Sequence, residues 1–376
     1  MSEANTQRKS GFSLPFKVRI EPRLEEVNWW QSLIISVSAL VVALLIGAVL
    51  LAAVGGDPWK TYAHIAKASF GDIGVFSDTM VKATPLILVG LASTVAFRMK
   101  LWNIGAEGQF FLGAFGASMV VLLPILPEDS PRWLFILVMM FFGILMGALW
   151  GFIPAYLKVK FRVNEVISTL MMNYIAVQWN DYFIYAVWSE GGFQMSKMFP
   201  KNAWLPRLTD YGKMIPEFRG LTTHFGLVLA LIAVVVIWFV LYRSKWGYEI
   251  RLIGDNPKAA NYAGVPINRN IIAVMMLSGG LAGLAGMSEI TGVVHRLQGA
   301  ISPGYGFTGI IVAWLAKLNP YLVIIVSILF GALILAGREI QPSGIPKLIQ
   351  GIILVCLIAS DYLVRNRVRI IHKAQE

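Results

Sequence analysis

Long apolar stretches, separated by short polar segments, recur along almost the whole chain. A helix needs roughly 20 apolar residues to cross the hydrocarbon layer of a membrane. Nine stretches approach or exceed that length: residues 32–54, 79–97, 104–123, 133–156, 166–187, 225–242, 270–290, 321–336 and 346–364. A tenth stretch, residues 305–317, is apolar but short. The pattern predicts an all-α polytopic integral membrane protein with about ten transmembrane helices.

Composition and charge agree with this class. Apolar and aromatic residues make up 57% of the chain and charged residues 14%, whereas soluble domains carry about a quarter charged residues. The net charge is +11, but the basic residues lie at the ends of the apolar stretches, which argues against nucleic acid as a partner. With a cytoplasmic N-terminus, 20 of the 32 Lys and Arg residues fall inside. The positive-inside rule then predicts that both termini are cytoplasmic.

The same segmentation predicts the domain organisation. A cytoplasmic arm covers residues 1–31, a membrane domain residues 32–364 and a basic cytoplasmic tail residues 365–376. The first apolar stretch is longer than a signal-peptide core, so we expect it to be a retained anchor. Residues 188–224 form a long loop outside, and residues 243–269 form one inside. The tail's basic residues would contact anionic membrane lipids.

Two halves of the chain repeat the apolar pattern with opposite orientation. In each half a short turn rich in glycine precedes the second helix of a pair, at residues 103–109 and 304–309. Interrupted segments at corresponding places in inverted halves indicate a solute site near the repeat interface. Glycines four residues apart, at Gly143, Gly147 and Gly151 and at Gly279 and Gly283, are typical of close helix packing in lipid.

Motifs for enzyme chemistry are absent from the sequence. It contains neither H-E-x-x-H nor the Walker A pattern, so the chain itself is not expected to bind ATP. Gly304, Gly306 and Gly309 spell G-x-G-x-x-G, but no strand-turn-helix unit surrounds them. Cys356 is the only cysteine, which excludes a disulfide framework and a cysteine-based metal site. We therefore predict no catalytic residues, no metal site and no bound cofactor.

The inside loop predicts a short helix over residues 257–263. Asn256 can cap it, Pro257 suits its first position, and Gly264 can end it. Seven residues are too few for a stable isolated helix, because such helices need roughly 12–15 residues in water. Its apolar residues need a docking surface, either the protein's own helix ends or a separate cytoplasmic subunit. Both interpretations stay open on this evidence.

Four motifs in order resemble those of permeases of ABC importers in the branched-chain amino acid and ribose permease superfamily. They are LWNIGAEGQFFLG at 101–113, VNEVISTLMMNY at 163–174, RLIGDNPKAANYAG at 251–264, and GYGFTGIIVA at 304–313 followed by KLNP at 317–320. The first two are most similar to permeases of nucleoside importers, whose ribose relatives carry a Gly-Gly-Ile-Asp type motif in place of Gly105-Ala106-Glu107. The resemblance spans most of residues 79–364.

This resemblance implies a transport subunit that moves a small polar solute, with nucleosides favoured and sugars or branched-chain amino acids as alternatives. It also implies two cytoplasmic ATPase subunits or domains holding ATP and magnesium, a second permease, identical or homologous, and an extracytoplasmic binding protein, a lipoprotein. The protein would lie in the cytoplasmic membrane of a bacterium or archaeon. The ATPases would dock on the inside loop through Arg251, Gly254, Asp255, Asn256, Pro257, Ala259, Ala260, Tyr262 and Gly264.

Polar residues within the apolar segments are the candidates for the solute pathway, since they are costly in lipid and must face protein or water. They and a neighbouring phenylalanine are Asn103, Glu107, Gln109, Asn164, Glu165, Ser168, Thr169, Asn173, Phe307 and Thr308. Each has a structural alternative. Glu107 would pair with Arg98 or Lys100, and the other polar groups would hydrogen-bond between helices.

Two rival functions remain open at this level. In an ion-coupled secondary transporter, Glu107, Glu165, Glu289 and His295 would form the ion relay. In a membrane enzyme or scaffold, the purified chain would act on a lipid or peptide or would carry out no transport. The absence of a motif pairing a nucleophile with a base argues against an enzyme.

Overall fold

A computed structural model describes residues 16–22, 29–337 and 344–372 of the chain. Within them the apolar stretches form helices, as predicted. The first seven helices are α1 (Trp29–Ala53), α2 (Pro58–Phe70), α3 (Ile73–Arg98), α4 (Ala106–Leu122), α5 (Arg132–Phe161), α6 (Glu165–Tyr182) and α7 (Gly226–Arg243). The others are α8 (Lys245–Asp255), α9 (Pro257–Tyr262), α10 (Ile267–Glu289), α11 (Tyr305–Leu315), α12 (Pro320–Ala336) and α13 (Ile345–Arg365).

The chain divides into two units, residues 1–50 with 351–376 and residues 51–350. The first contains two strands that the all-α prediction did not include, β1 (Phe16–Pro22) and β2 (Asn366–His372). They pair antiparallel, with Phe16 opposite His372. Alternating basic and apolar residues in Lys17-Val18-Arg19-Ile20 are the period-two pattern of a strand. Residues 1–15, 23–28 and 373–376 of the predicted arm and tail lie outside the described residues.

Four helical spans in the described residues are long and apolar enough to cross a membrane: Ile73–Arg98, Arg132–Phe161, Gly226–Arg243 and Ile267–Val294. The last is α10 extended by a π-helical turn, Ile290–Val294. A fifth is possible if Val37–Ala53 and Pro58–Phe70, which meet at 118°, form one broken span. The other apolar helices, α4, α11, α12 and Lys347–Ser360, are shorter. The structure therefore supports a polytopic helical protein, while a count of ten spans remains a prediction.

The core of the second unit is a crossing of α4, α5 and α10. A Cβ atom on Gly113 would lie 2.1 Å from the Cα atom of Gly283, and one on Gly147 would lie 2.7 Å from that same atom. A Cβ on Gly283 would approach the carbonyl oxygen of Gly143 to 2.3 Å. Backbones this close leave no room for side chains. The glycine spacing in α5 and α10 is thus a packing device, as predicted.

The end of α10 carries the long loop of residues 188–224, and we call this side of the protein the loop face. Helix ends leave backbone carbonyls without partners inside the helix. Here the loop supplies them: the amide of Leu205 donates to Thr291 O (3.0 Å), and the amide of Phe199 donates to His295 O (2.8 Å). The Arg207 guanidinium donates to Gly292 O at 2.7 Å. The loop is therefore fastened to the helix rather than free above it.

Two histidines lie under this loop as neutral groups. Burial, reinforced by the charge of Arg207, lowers the pKa of His224 to about 3 and that of His295 to about 4. The His295 ring stacks on Trp204 with centroids 3.7 Å apart. Its Nε2 lies 2.6 Å from an Arg207 amino group and accepts a hydrogen bond from it. A ring stack and hydrogen bonds from the Arg207 cation to uncharged acceptors therefore attach the loop, and the ion relay suggested for His295 gains no support.

Candidate functional site

The first turns of two helices are mostly buried in the interior of the protein rather than lying at its surface. Helices α4 and α11 meet at their first turns, where a Cβ on Gly306 would lie 2.2 Å from the backbone nitrogen of Glu107. Gly309 lies against Val89 in the middle of α3, while Leu318, after the end of α11, accepts from Arg98 at the end of α3. Helix α11 therefore runs beside only half of α3. The predicted inverted repeat, in which this short tenth segment is one half of a pair, stays a prediction.

The carboxylate of Glu107 lies at this junction and is buried. Its Oε2 accepts a hydrogen bond of 2.6 Å from the backbone N–H of Gly306, in the first turn of α11. An acceptor there is favourable because the first backbone N–H groups of a helix have no partner within the helix. The alternative pairing with Arg98 is not formed, since Arg98 donates to Leu318 O and to Tyr242 Oη. Glu107 thus caps a helix that follows it by about 200 residues.

Asn103 and Gln109 form a buried network beside that junction. The amide of Asn103 donates to Gln109 Oε1 at 3.0 Å and to Ser278 Oγ at 2.9 Å. Ser278 in turn donates to the carbonyl of Ala92 in α3. The network connects the start of α4 to α10 and α3, so both predicted pathway residues have partners within the protein.

The polar stripe of α6 holds the glycine-rich turn before α4. Asn173 Oδ1 accepts from the amide of Gly108, and its Nδ2 donates to Ile104 O, both at 2.8 Å. Thr169 Oγ1 accepts from the amide of Ile104 at 3.2 Å. The turn packs tightly on α6 here, since a Cβ on Gly108 would lie 3.0 Å from the Cα of Asn173. This stripe is interhelical hydrogen bonding, the structural alternative given above.

The other predicted pathway residues also have local contacts. Asn164 caps α6 by accepting from the amide of Val166 at 2.8 Å. Glu165 pairs with Lys158 at 2.5 Å and Ser168 donates to a carbonyl of its own helix. Thr308 donates to Gly304 O and to Gln350 Oε1, while Phe307 is exposed. A contact of any of these residues with solute stays a prediction.

The opposite face of α6 was missed in the sequence. Four exposed residues follow each other there at helical spacing, and we call them the tyrosine stripe: Tyr174, Gln178 and Tyr182 of α6 and Tyr185 of the π-helical turn Phe183–Val187 that continues it. Tyr174 is 65% exposed and Tyr182 is 62% exposed. The signal was a repeat of three or four residues that combines aromatic rings with an amide. Exposed apolar side chains, those of Ile167, Met171 and Ile175, lie among them on the same face.

Residues 243–269, predicted to be a cytoplasmic loop, form a second surface, which we call the coupling face. Helix α9 has the predicted cap and first residue: Asn256 Oδ1 accepts from the amide of Ala259 at 3.1 Å, and Pro257 follows. The helix ends at Tyr262, one residue earlier than predicted. Gly264 follows with φ +73°, a conformation that glycine adopts without strain.

The two halves of this loop differ in what they contact: the first half packs on the protein's own helices, and the second half is partly exposed. Gly254 lies against the end of α3, where a Cβ would be 2.3 Å from Arg98 O, and Arg251 donates to Leu241 O. Ala260 is fully buried, but Tyr262 is 92% exposed. A groove of about 610 Å³ runs along the exposed side and is lined by Pro257, Lys258, Asn261, Val265, Pro266, Ile267, Asn268 and Arg269. The protein's own helices hold Arg251 and Gly254, while α9 presents a free surface.

Metal ions need several ligand side chains close together, and the described part of the chain lacks such a set. Among those residues, no group of three His, Cys, Asp or Glu side chains could hold an ion.

Comparison with known proteins decides the family. The family model described as "Branched-chain amino acid transport system / permease component" matches residues 75–358. The chain belongs to this permease family. The matched residues include both glycine-rich turns, α6 and the coupling face. The protein is therefore a transport subunit of the cytoplasmic membrane rather than an enzyme, and in this family the ATPase is a separate subunit. ATPases and substrate-binding proteins are general partners of such permeases.

Individual relatives match this permease over most of its length. The guanosine ABC transporter permease protein NupP of Bacillus subtilis is 34% identical, over 89% of this chain and 94% of its own. The glucose ABC transporter permease protein TsgB13 of Haloferax volcanii is 32% identical, over 94% of both chains. The nucleoside ABC transporter permease protein NupB of Lactococcus lactis is 30% identical, over 88% of this chain and 91% of its own. The resemblance read from the motifs is confirmed.

Proposed function

We propose that this permease imports nucleosides and that the tyrosine stripe of α6 lines their path. The exposure of three tyrosines and one glutamine along one helix face is the observation that carries the proposal. Tyrosine rings stack on nucleobases, and the amide of Gln178 can donate to and accept from a base edge. The guanosine and nucleoside permeases among the relatives support the same solute class.

The proposed topology has ten spans with both termini in the cytoplasm. Helices α4, α11 and α12 would be short spans and α6 a more polar one, which explains why length and hydropathy do not identify them. The arm of residues 1–31, the coupling loop of residues 243–269 and the tail of residues 365–376 would be cytoplasmic. The loop face would be extracytoplasmic. The transmembrane domain would cover residues 32–364.

The proposed assembly contains a second permease, identical or homologous, whose own α6 faces the tyrosine stripe. Two ATPase subunits or domains bind ATP and magnesium and dock on the coupling faces, and no cofactor belongs to this chain. A binding lipoprotein delivers solute to the loop face. Because Gly254 touches the end of α3, movement of the coupling face would displace α3 and the helices packed on it. That coupling is suited to alternating access.

Uptake by the reconstituted complex tests the solute class. Proteoliposomes containing both permeases, the ATPase and the binding protein should accumulate labelled guanosine only when ATP is present. Glucose is the second candidate, since TsgB13 is a glucose permease. Accumulation of glucose in place of guanosine would replace the nucleoside proposal. Uptake by this chain alone, driven by an ion gradient, would exclude the ABC mechanism.

Alanine at Tyr174 or Tyr182 should lower guanosine uptake about tenfold, because loss of one aromatic–base stack costs roughly 1–3 kcal/mol. Initial rates in the same proteoliposomes measure the effect. Val235→Ala is the control, since Val235 is an equally exposed apolar residue on α7. Unchanged rates in the Tyr174→Ala/Tyr182→Ala double variant would remove the stripe from the pathway.

Tyr262→Asp should reduce co-purification of the ATPase at least tenfold without loss of folded permease, because this side chain is almost fully exposed on α9. Tagged permease and a quantitative pull-down measure it. Ala260→Asp cannot separate loss of ATPase docking from loss of folding, since it places a carboxylate in a fully buried position. Tyr211→Asp, an exposed tyrosine on the loop face, should retain the ATPase. Normal recovery with Tyr262→Asp would place the docking site elsewhere.

A further inference from the structure

A cavity of about 540 Å³ lies between the loop-face ends of α5 and α7, beneath the long loop. Ile136, Leu137 and Met140 line it from α5, and Leu227 and Val228 line it from the first turn of α7. The loop contributes Pro206 and Leu208 among others. A cavity with such walls does not hold water well, since ordered water needs several polar partners. Its contents should be apolar.

The cavity lies on the membrane-facing side of this permease. Helices α5 and α7 are two of the four long apolar spans. Only 22% and 28%, respectively, of their apolar 18-residue segments are buried inside the protein. Leu137 and Val228, which line the cavity, are themselves exposed. Hydrocarbon chains of the bilayer therefore have direct access to it.

Charge and aromatic residues mark the rim as an interfacial site. Arg132 begins α5 and donates to Trp204 O and to Asp210. Arg207 lies in the lining, but its guanidinium donates to Gly292 O and His295, so Arg132 is the guanidinium at the rim that can still take a further acceptor. Trp133, 66% exposed, and Tyr211 lie at the same level. Aromatic side chains and arginines of this kind are typical of the depth at which lipid headgroups lie.

We propose that this cavity binds one acyl chain of an anionic phospholipid, with its phosphate next to Arg132. The guanidinium of Arg132 is only partly used by its protein contacts and its side chain is 36% exposed, so it can still donate to phosphate oxygens. The site needs only the membrane location of this permease. It does not depend on the identity of the solute, and the proposed topology assigns it to the outer leaflet.

Native mass spectrometry of the full-length permease in mild detergent tests the site, with dioleoyl phosphatidylglycerol and dioleoyl phosphatidylcholine added in equal amounts. Leu137→Trp fills the cavity and should remove one tightly retained lipid. Val235→Trp adds the same bulk at an exposed position of α7 outside the cavity and should retain it. Arg132→Gln should lower the preference for phosphatidylglycerol about fivefold, and Arg132→Lys should keep it.

The outcomes separate the possible occupants. Loss of one lipid in Leu137→Trp alone, together with the charge dependence at Arg132, supports the proposal. Equal lipid retention in wild type and Leu137→Trp overturns it. If Leu137→Trp instead shifts the mass distribution from permease pairs to single chains, the cavity is a contact with a second permease and the lipid assignment is wrong.

Discussion

Lys82→Met should cost about 3–5 kcal/mol of unfolding free energy, because it leaves a carboxylate buried without the ammonium group that faces it. Lys82 Nζ lies 3.1 Å from Glu289 Oε1 between α3 and α10, and the two side chains are only 7% and 4% exposed. The expected result is a large loss of monodisperse permease and a lowered thermal midpoint in detergent. Both are measured by fluorescence-detected gel filtration after heating.

The double variant Lys82→Met/Glu289→Leu should recover most of that loss, because an apolar pair of similar volume can replace a buried ion pair without penalty. Lys60→Met is the matched control. Lys60 and Asp57 form a pair at 3.6 Å whose side chains are 86% and 46% exposed, and such surface pairs contribute little. If Lys82→Met is as stable as wild type, the buried pair does not stabilise the fold. If Lys82→Met/Glu289→Leu does not recover the stability lost in Lys82→Met, one of the two charged side chains has a further role.

Gly283→Leu should give no folded permease, and Gly283→Ala should already cost about 1–3 kcal/mol from overpacking. A Cβ at this position would lie 2.3 Å from Gly143 O and 3.0 Å from the Cα of Gly147. Helices α5 and α10 would have to separate along their whole contact. Membrane-extracted yield and thermal midpoint measure the effect.

Gly351→Ala provides the comparison for Gly283. Gly351 also lies within a helix, α13, but a Cβ there would meet no atom within 4 Å. Alanine is favoured over glycine in helix interiors by roughly 0.5–1 kcal/mol, so this variant should be as stable as wild type or more so. Equal tolerance of alanine at both positions would contradict the close crossing of the helices.

The polar residues show how far sequence patterns reach. Asn173 and Thr169 are four residues apart, and helical spacing alone puts such residues on the same side of a helix. The spacing does not say which face is covered. The structure turns that face onto the glycine turn before α4 and leaves Tyr174 and Tyr182 exposed on the other. Solute contact is therefore proposed for the face that carries the tyrosine stripe.

Hydropathy has a similar limit for the apolar helices. Helices α3 and α7 are both apolar enough to span a membrane. The apolar 18-residue segment of α3 is fully buried in the protein, whereas that of α7 is only 28% buried. A helix buried in protein and one facing lipid both need apolar side chains, so composition does not separate them. The sequence pattern did not predict helix α2, because Lys60, His64 and Lys67 interrupt its apolar residues.

What the sequence determined by itself is the membrane class, the capped α9 and the permease family. Each depends on residues close together in the chain or on motifs of fixed order. Only the tertiary structure decided that Glu107 caps α11, that Lys82 faces Glu289 and that Ala260 is covered while Tyr262 is free. Those contacts join segments far apart in sequence, so the packing of the helices determines them and no local pattern records them.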